Sequence, residues 1–218
     1  MFKKHLLKLL DLVFPQSSKV ANLEALSPAE LYDAVSKPRT IHDDLAISAL
    51  FDYQNELMRT MIWQLKYRGS DKIAKLFAQC LYEELVSELA EFCTLMNIRK
   101  PLLIPVPLSK KRRLERGFNQ SELVLDALQK IDASKIFEIS YTLLEKHVHT
   151  IQQTTAQSRE ERLKNLKNCF RVRSPNLIHN RTIILLDDVT TTGTTLTSAR
   201  RTLLHAGARR VICIALAH

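Results

Sequence analysis

The spacing of apolar residues changes from alternation to helical periodicity in the first half of the chain. Residues 47–69 begin with alternating apolar and polar positions and continue at three- and four-residue steps to Gly69, which predicts a strand followed by a helix. Ser70 can then act as an N-cap, and apolar positions at the same steps through Phe92 predict a long core helix. Earlier, the segment SPAEL (27–31) carries the capping residues of a short helix.

The second half of the chain alternates short apolar runs with amphipathic segments. The apolar runs predict strands at residues 101–108, 137–146, 182–188 and 209–218. Helices are predicted at residues 121–131, 158–168 and 195–206, and a charged loop at residues 109–120. Such alternation is typical of a mostly parallel α/β sheet flanked by helices. We therefore predict a small helical N-terminal region over residues 1–45 and one α/β domain over residues 46–218.

The first fourteen residues, MFKKHLLKLLDLVF, combine a basic start with an apolar stripe that Lys8 and Asp11 interrupt at helical spacing. Because no small-residue cleavage site follows, we interpret them as an amphipathic helix, which either packs on the protein or docks on a membrane surface, rather than as an export signal. No apolar run approaches the ~20 residues that cross a bilayer. We expect a cytoplasmic protein, with contact to the inner membrane surface as an open alternative.

The cysteines and the net charge narrow the possible partners. Four widely spaced cysteines form no C-x-x-C pair, so we expect small buried side chains rather than a zinc site or a disulfide framework. The formal net charge is +9, and the sequence pI is about 9.5. A basic balance favours an anionic partner, either nucleic acid or a phosphorylated small molecule, without choosing between them.

The stretch TIILLDDVTTTGTTLTSA (182–199) carries the strongest chemical signal. Ligands of parallel α/β sheets bind beyond the carboxyl ends of strands, where the amides of the following helix favour a phosphate. Gly193 permits close backbone approach, and the threonines around it add hydroxyl donors. Asp187 and Asp188 would repel a phosphate, but they can accept hydrogen bonds from a sugar diol. A ribose 5-phosphate fits both groups, and the alternative is an ordinary threonine-capped helix start.

This stretch resembles the loop of type I phosphoribosyltransferases that binds phosphoribosyl pyrophosphate (PRPP). The segments LKYRG (65–69), IPVPLSKKRRLERGFNQSELV (104–124), SREERLKNLKNCFRV (158–172) and HAGARRVICIALA (205–217) extend the likeness to the ComF/GntX branch of that superfamily. Members of this branch are competence and DNA-utilisation proteins. The resemblance covers roughly residues 60–218 and implies the type I phosphoribosyltransferase fold.

The resemblance also implies roles for particular residues. Asp187 and Asp188 would hold the ribose hydroxyls with Mg²⁺ nearby, and the loop that follows would wrap the 5-phosphate. The PRPP-binding set is then Asp187, Asp188, Val189, Thr190, Thr191, Thr192, Gly193, Thr194 and Thr195. Arg112 and Arg116 would lie near the pyrophosphate, with Lys66 and Arg68 as further candidates for the same anion. Arg159 and Arg162, in a mobile loop over residues 150–162, would stabilise the departing pyrophosphate.

Two departures from the family pattern limit the likeness. Many relatives carry a cysteine-pair zinc ribbon after a leader like LLDLVFP, whereas PQSSKVANLEALSPAEL follows here without a cysteine. We therefore expect Mg²⁺ with PRPP and no zinc. Relatives also show T-x-x-Q-x-x-L before the next helix, whereas this chain keeps Thr150 and Gln153 but has Ala156 in place of the leucine.

Two functions remain open at this point. The chain is either an enzyme that displaces pyrophosphate from Mg–PRPP with an unknown acceptor, or a competence factor that binds single-stranded DNA and uses the phosphate loop for binding or regulation. The run KKRRLER (110–116) places five positive charges in seven residues and suits either a pyrophosphate or a DNA backbone. In the second case, the inner-membrane competence machinery would be a partner. Trp63 and Phe118, near the basic clusters, are expected in the core.

Overall fold

The computed structural model describes residues 22–36, 47–96, 100–146 and 169–218. Seven strands lie within these ranges: β1 (Ile47–Phe51), β2 (Leu102–Pro105), β3 (Glu138–Ile139), β4 (Leu144–Lys146), β5 (Phe170–Val172), β6 (Thr182–Val189) and β7 (Arg210–Ala217). Seven helices accompany them: α1 (Pro28–Ala34), α2 (Glu56–Tyr67), α3 (Asp71–Met96), α4 (Lys110–Arg116), α5 (Gln120–Ile131), α6 (Pro175–Ile178) and α7 (Thr194–His205). Within the described residues, no helix is both long and apolar enough to span a membrane.

Five of the strands form one parallel sheet in the order β1-β7-β6-β2-β3. Strands β4 and β5 pair antiparallel in a separate two-stranded sheet. β6 is bonded on both sides, to β2 and to β7, so its residues lie at the centre of the main sheet. The prediction of a parallel α/β architecture flanked by helices is confirmed.

Side chains of β6 alternate between two apolar layers, as the period of a strand requires. Ile184 and Leu186 pack on one face with helices α1, α2, α3 and α5. Ile183 and Leu185 pack on the opposite face with α7 and the β4–β5 pair. A strand buried on both faces reads as a continuous apolar run, and TIILL is such a run. The polar side chains of β6 therefore lie at the ends of the strand, Thr182 at one end and Asp187 and Asp188 at the other.

Two predicted elements are wrong in detail. Residues 109–120 are not a loop throughout, because α4 forms within them: the Ser109 hydroxyl accepts a hydrogen bond from the amide of Arg112, and Gly117 ends the helix at φ +82°. Residues 137–146 are not one strand, because the chain leaves the main sheet after Ile139 and then pairs with β5.

The turn after α2 is held against the turn after α4. Gly69 has φ +63°, in the left-handed region, and a Cβ built on it would lie 2.9 Å from Cζ of Phe118. A larger residue would meet both the backbone strain and this ring. The contact explains why glycine ends the LKYRG segment, and it brings the residues before Gly69 close to those after β2.

Candidate functional site

The site is built on the carboxyl end of β6, where Asp187 and Asp188 are both partly buried. Oδ1 of Asp187 accepts a hydrogen bond from the amide of Asp188 at 2.9 Å, and Oδ1 of Asp188 accepts one from the amide of Val189 at 2.7 Å. Each carboxylate is thus held by the backbone through one oxygen, and its Oδ2 remains for other partners. The side chain of Asp188 is only 14% exposed, so its charge needs compensation.

The threonine-rich turn follows directly and leads into α7. Thr190 is buried, and its amide donates to the carbonyl of Ala217 at 3.0 Å. The carbonyl of Thr190 in turn accepts a hydrogen bond from Nδ1 of His218 at 3.2 Å. Gly193 is the N-cap residue of α7, at φ +67°, and no side chain caps the helix. The alternative of an ordinary threonine-capped helix start is therefore wrong. Amides without a capping side chain at a helix start favour an anion.

The remaining threonines surround that helix start. Thr191 and Thr192 are exposed, and Thr194 and Thr195 begin α7 with partly buried side chains. The hydroxyls of Thr192 and Thr194 lie 2.7 Å apart in a hydrogen bond. The turn thus offers hydroxyls and main-chain amides together, without an added charge.

Two of the predicted cations meet at Asp188. Nζ of Lys66, from α2, lies 3.4 Å from Oδ2 of Asp188, and Nη1 of Arg116, from α4, lies 3.9 Å from the same oxygen. Gln120 is buried and connects them, because its Oε1 accepts from Nη1 of Arg116 at 3.0 Å and its Nε2 donates to the carbonyl of Lys66 at 3.3 Å. These contacts join the LKYRG and RGFNQ segments at the acids.

Two further predicted cations, Arg68 and Arg112, have other neighbours. Arg68 has its guanidinium 6.0 Å from the ring centroid of Trp63, and Arg112 is exposed on α4. The expectation that Trp63 belongs to the core is wrong, since 47% of it is exposed and its ring lies against its helix neighbour Tyr67. Arg159 and Arg162 lie outside the described residues, so their proposed roles stay predictions.

Lys146 is a site residue that the sequence pattern does not reveal. Burial lowers the pKa of Lys146, the charge of Arg112 lowers it further, and Asp187 acts in the opposite direction. Its ammonium group also lies 5.3 Å from the ring centroid of Phe170. Periodicity predicts no role for Lys146, because its position depends on the pairing of β4 with β5, whose residues are distant in sequence.

Lys146 also lines a cleft of about 810 Å³ between α4, α5 and the β4–β5 pair. The cleft contains four cationic and two anionic side chains: Lys110, Arg113, Lys146, Arg173, Glu122 and Glu145. Arg113 is bonded to Glu122 at 2.7 Å, and Arg173 is paired with Glu145. These two ion pairs leave the charges of Lys110 and Lys146 unbalanced, so the cleft favours an anion.

The two acids differ in their electrostatic surroundings. Burial raises the pKa of Asp187 to about 7, and the negative charge of Asp188 adds to the increase. The hydrogen bond from the amide of Asp188 and the charges of Lys146 and Lys66 act against it. A bound cation would favour the ionised form of Asp187. Two adjacent carboxylates suit Mg²⁺, which typically uses one or two protein carboxylates and completes its shell with water and substrate phosphates.

The chain is similar to known proteins over most of its length. The family described as "Phosphoribosyl transferase domain" matches residues 125–218. The competence protein ComFC of Bacillus subtilis is 29% identical over 153 residues, which cover 70% of this chain and 56% of that protein. The DNA utilization protein YhgH of Salmonella typhimurium is 30% identical over 156 residues, covering 69% and 63%. The competence protein ComFC of Streptococcus pneumoniae is 31% identical over 163 residues, covering 75% and 64%. The matches span less than two thirds of these relatives' length.

Replacing Asp187 with asparagine should stabilise the fold by an amount that increases from pH 4 to pH 7. The neutral carboxyl of Asp187 contributes stability that is fully present below an unfolded-state pKa of 3.8 and is lost as the pH rises through the folded value of about 7. An amide does not titrate, so the gain in unfolding free energy of Asp187→Asn over the wild type should grow between pH 4 and pH 7. Chemical denaturation across this range measures it, and a gain that does not change with pH would contradict the assignment.

Proposed function

We propose that the chain, which is similar to ComFC and YhgH proteins and to the phosphoribosyl transferase domain, binds Mg²⁺ and PRPP at the carboxyl end of β6. We also propose a role in DNA uptake during natural competence, since its relatives are a competence protein and a DNA utilization protein. The observation that carries the proposal is the direct succession of two carboxylates and a helix start that no side chain caps. The first group suits a sugar diol, and the second suits a phosphate.

In this proposal, different residues of the chain contact different parts of the substrate. The amides and hydroxyls of residues 191–195 hold the 5-phosphate, and Asp187 and Asp188 accept hydrogen bonds from the ribose hydroxyls. Lys66 and Arg116 hold the carboxylate of Asp188 in place, since both lie within 4 Å of its Oδ2. When bound, Mg²⁺ supplies positive charge to the pyrophosphate oxygens.

Turnover would be a substitution at C1 of the ribose. A nucleophilic atom of the acceptor bonds to C1 as the bond from C1 to the pyrophosphate oxygen breaks, and the pyrophosphate leaves with the electron pair. The positive charges of Arg112 and Lys146 stabilise the negative charge that develops on this leaving group.

Removing the negative charge of Asp188 should weaken PRPP binding. Asp188→Asn removes the negative charge beside Lys66 and Arg116 and weakens the hydrogen bonds to the ribose, so we expect affinity to fall by about tenfold or more. Titration calorimetry with PRPP and MgCl₂ measures it. Asp33→Asn, on the exposed surface of α1, is the matched control and should bind as the wild type does. Equal affinity of Asp188→Asn and the control would refute the ribose assignment.

Lys146 should affect the pyrophosphate half of the substrate alone. Lys146→Met removes one cation near the leaving group, so affinity for Mg–PRPP should fall about tenfold while affinity for ribose 5-phosphate stays the same. Competition of both ligands against a fluorescent sugar phosphate compares them directly, and Lys130→Met on the exposed end of α5 is the control. An equal decrease for both ligands would show that Lys146 supports the fold rather than the pyrophosphate.

A second function, binding of single-stranded DNA, is favoured by α4. Five of its seven residues are cationic, and none of the seven is buried. Arg113 is bonded to Glu122, and Arg116 lies by Asp188. Lys110, Lys111 and Arg112 therefore present most of the exposed charge, with Nζ of Lys111 4.0 Å from Oε1 of Glu115. A row of exposed cations attracts a phosphodiester backbone without reading its sequence.

The exposed lysines of α4 should contribute to the salt dependence of DNA binding. In Lys110→Gln/Lys111→Gln, the slope of log affinity against log salt for an oligothymidylate should fall by roughly 0.7 for each phosphate that the helix no longer neutralises. Lys75→Gln/Lys130→Gln, with the same change in net charge on exposed positions of α3 and α5, is the control. Fluorescence anisotropy at several salt concentrations gives the slopes. If both double variants give the wild-type slope, α4 does not bind the DNA backbone.

A further inference from the structure

The chain leaves strand β6 at Thr190, and both main-chain groups of this residue are bonded to the end of β7. The amide of Thr190 donates a hydrogen bond to the carbonyl of Ala217 at 3.0 Å. The carbonyl of Thr190 accepts one from Nδ1 of His218 at 3.2 Å. Because Thr190 is only 6% exposed, loss of the imidazole would remove a hydrogen bond that little water can replace.

The main chain of His218 bonds to the opposite side of β7. Its amide donates to the carbonyl of Phe51 in β1 at 3.1 Å, and its main-chain oxygen accepts from the amide of Tyr53 at 2.8 Å. These two bonds fix the backbone of His218 against β1. The side chain of His218 is therefore held in a set position when it supplies the donor on the β6 side.

The bond also defines which nitrogen of the imidazole carries hydrogen. A carbonyl oxygen can only accept, so Nδ1 of His218 is the donor whether the ring is neutral or charged. An asparagine amide offers an N–H at a similar distance from the backbone, whereas a leucine side chain offers no donor. The hydrogen bond can thus be removed or replaced by substitution at this one position.

The carbonyl that His218 holds belongs to the first peptide group of the threonine-rich turn. The carbonyl of Thr190 and the amide of Thr191 share one rigid plane, and in a trans peptide they point in opposite directions. Holding the carbonyl toward His218 therefore turns the amide of Thr191 away from the ring and into the turn. Gly193 follows two residues later and begins α7 without a capping side chain.

We propose that His218 is a positioning residue of the phosphate-binding turn: by holding the carbonyl of Thr190, it directs the amides of residues 191–195 toward the anion. The proposal rests on the proposed function for the identity of that anion, the 5-phosphate of a ribose. The conformation of the turn is a property of the free protein, so it can be measured without a ligand.

Gly193 reports on the turn, because the sequence has four glycines and ¹⁵N-glycine labelling gives four amide signals. The signal of Gly193 is the one that Gly193→Asn lacks. His218→Leu removes the donor, so the Gly193 signal should move while the signals of the other three glycines stay in place. His218→Asn supplies a new donor and should return the Gly193 signal toward its wild-type position.

Titration with ribose 5-phosphate, followed by the same signal, measures the effect on binding. His218→Leu should weaken binding about tenfold, and His218→Asn should restore most of the affinity. His205→Leu is the matched control: Nδ1 of His205 also lies close to a main-chain carbonyl, at 2.7 Å from that of Arg201, but at the far end of α7. This variant should keep the wild-type Gly193 signal and affinity.

The outcomes separate the positioning role from the proposed function. The proposal is overturned if His218→Leu leaves the Gly193 signal in place, if His205→Leu moves it equally, or if it moves while the affinity of a binding wild type is unchanged. If ribose 5-phosphate does not bind to the wild type, the proposed function fails, and a Gly193 shift confined to the donor-free variants still supports the positioning role. His218→Ala is the second donor-free variant, used if His218→Leu collapses all four signals and so does not fold.

Discussion

Two neighbouring carboxylates at the end of a buried central strand carry a desolvation free energy that the surrounding groups must offset. β6 is bonded on both sides and packed on both faces, so Asp187 and Asp188 have little water to solvate them. Backbone amides take up one oxygen of each, and Lys66 and Arg116 lie within 4 Å of the second oxygen of Asp188. These cations come from α2 and α4, which are distant in sequence from β6 and from each other.

The cations around Asp187 and Asp188 also place positive charge where the pyrophosphate of the proposed substrate would bind. Lys66 and Arg116 hold Asp188 before any ligand binds, and Lys146 lies partly buried near Asp187 and Arg112. The start of α7, which no side chain caps, contributes amides on the other side of the acids. In the proposed binding mode, a molecule with a phosphate, a diol and a second anionic group would meet suitable partners along its length.

The sequence predicts those helices and strands that have a clear local periodicity. It does not predict features that depend on contacts between segments distant in sequence. The run TIILLDD and the helix after Gly193 are recognisable because a doubly buried strand and a glycine turn leave clear patterns. Helix α4 has no apolar stripe, and its capping residues Ser109 and Gly117 are the only local signals for it. The break after Ile139 depends on pairing with β5, and the same pairing places Lys146. The exposure of Trp63 is also invisible to periodicity, because apolar spacing does not say which face is covered.

The most direct test of this electrostatic arrangement is the structure of crystals soaked with Mg²⁺ and PRPP. We expect electron density for the 5-phosphate against the amides of residues 191–195 and for the ribose hydroxyls within hydrogen-bond distance of Asp187 and Asp188. The pyrophosphate density should point toward Lys146 and Arg112. A sugar phosphate bound away from β6, or a fully occupied ligand whose ribose does not touch either acid, would contradict the assignment.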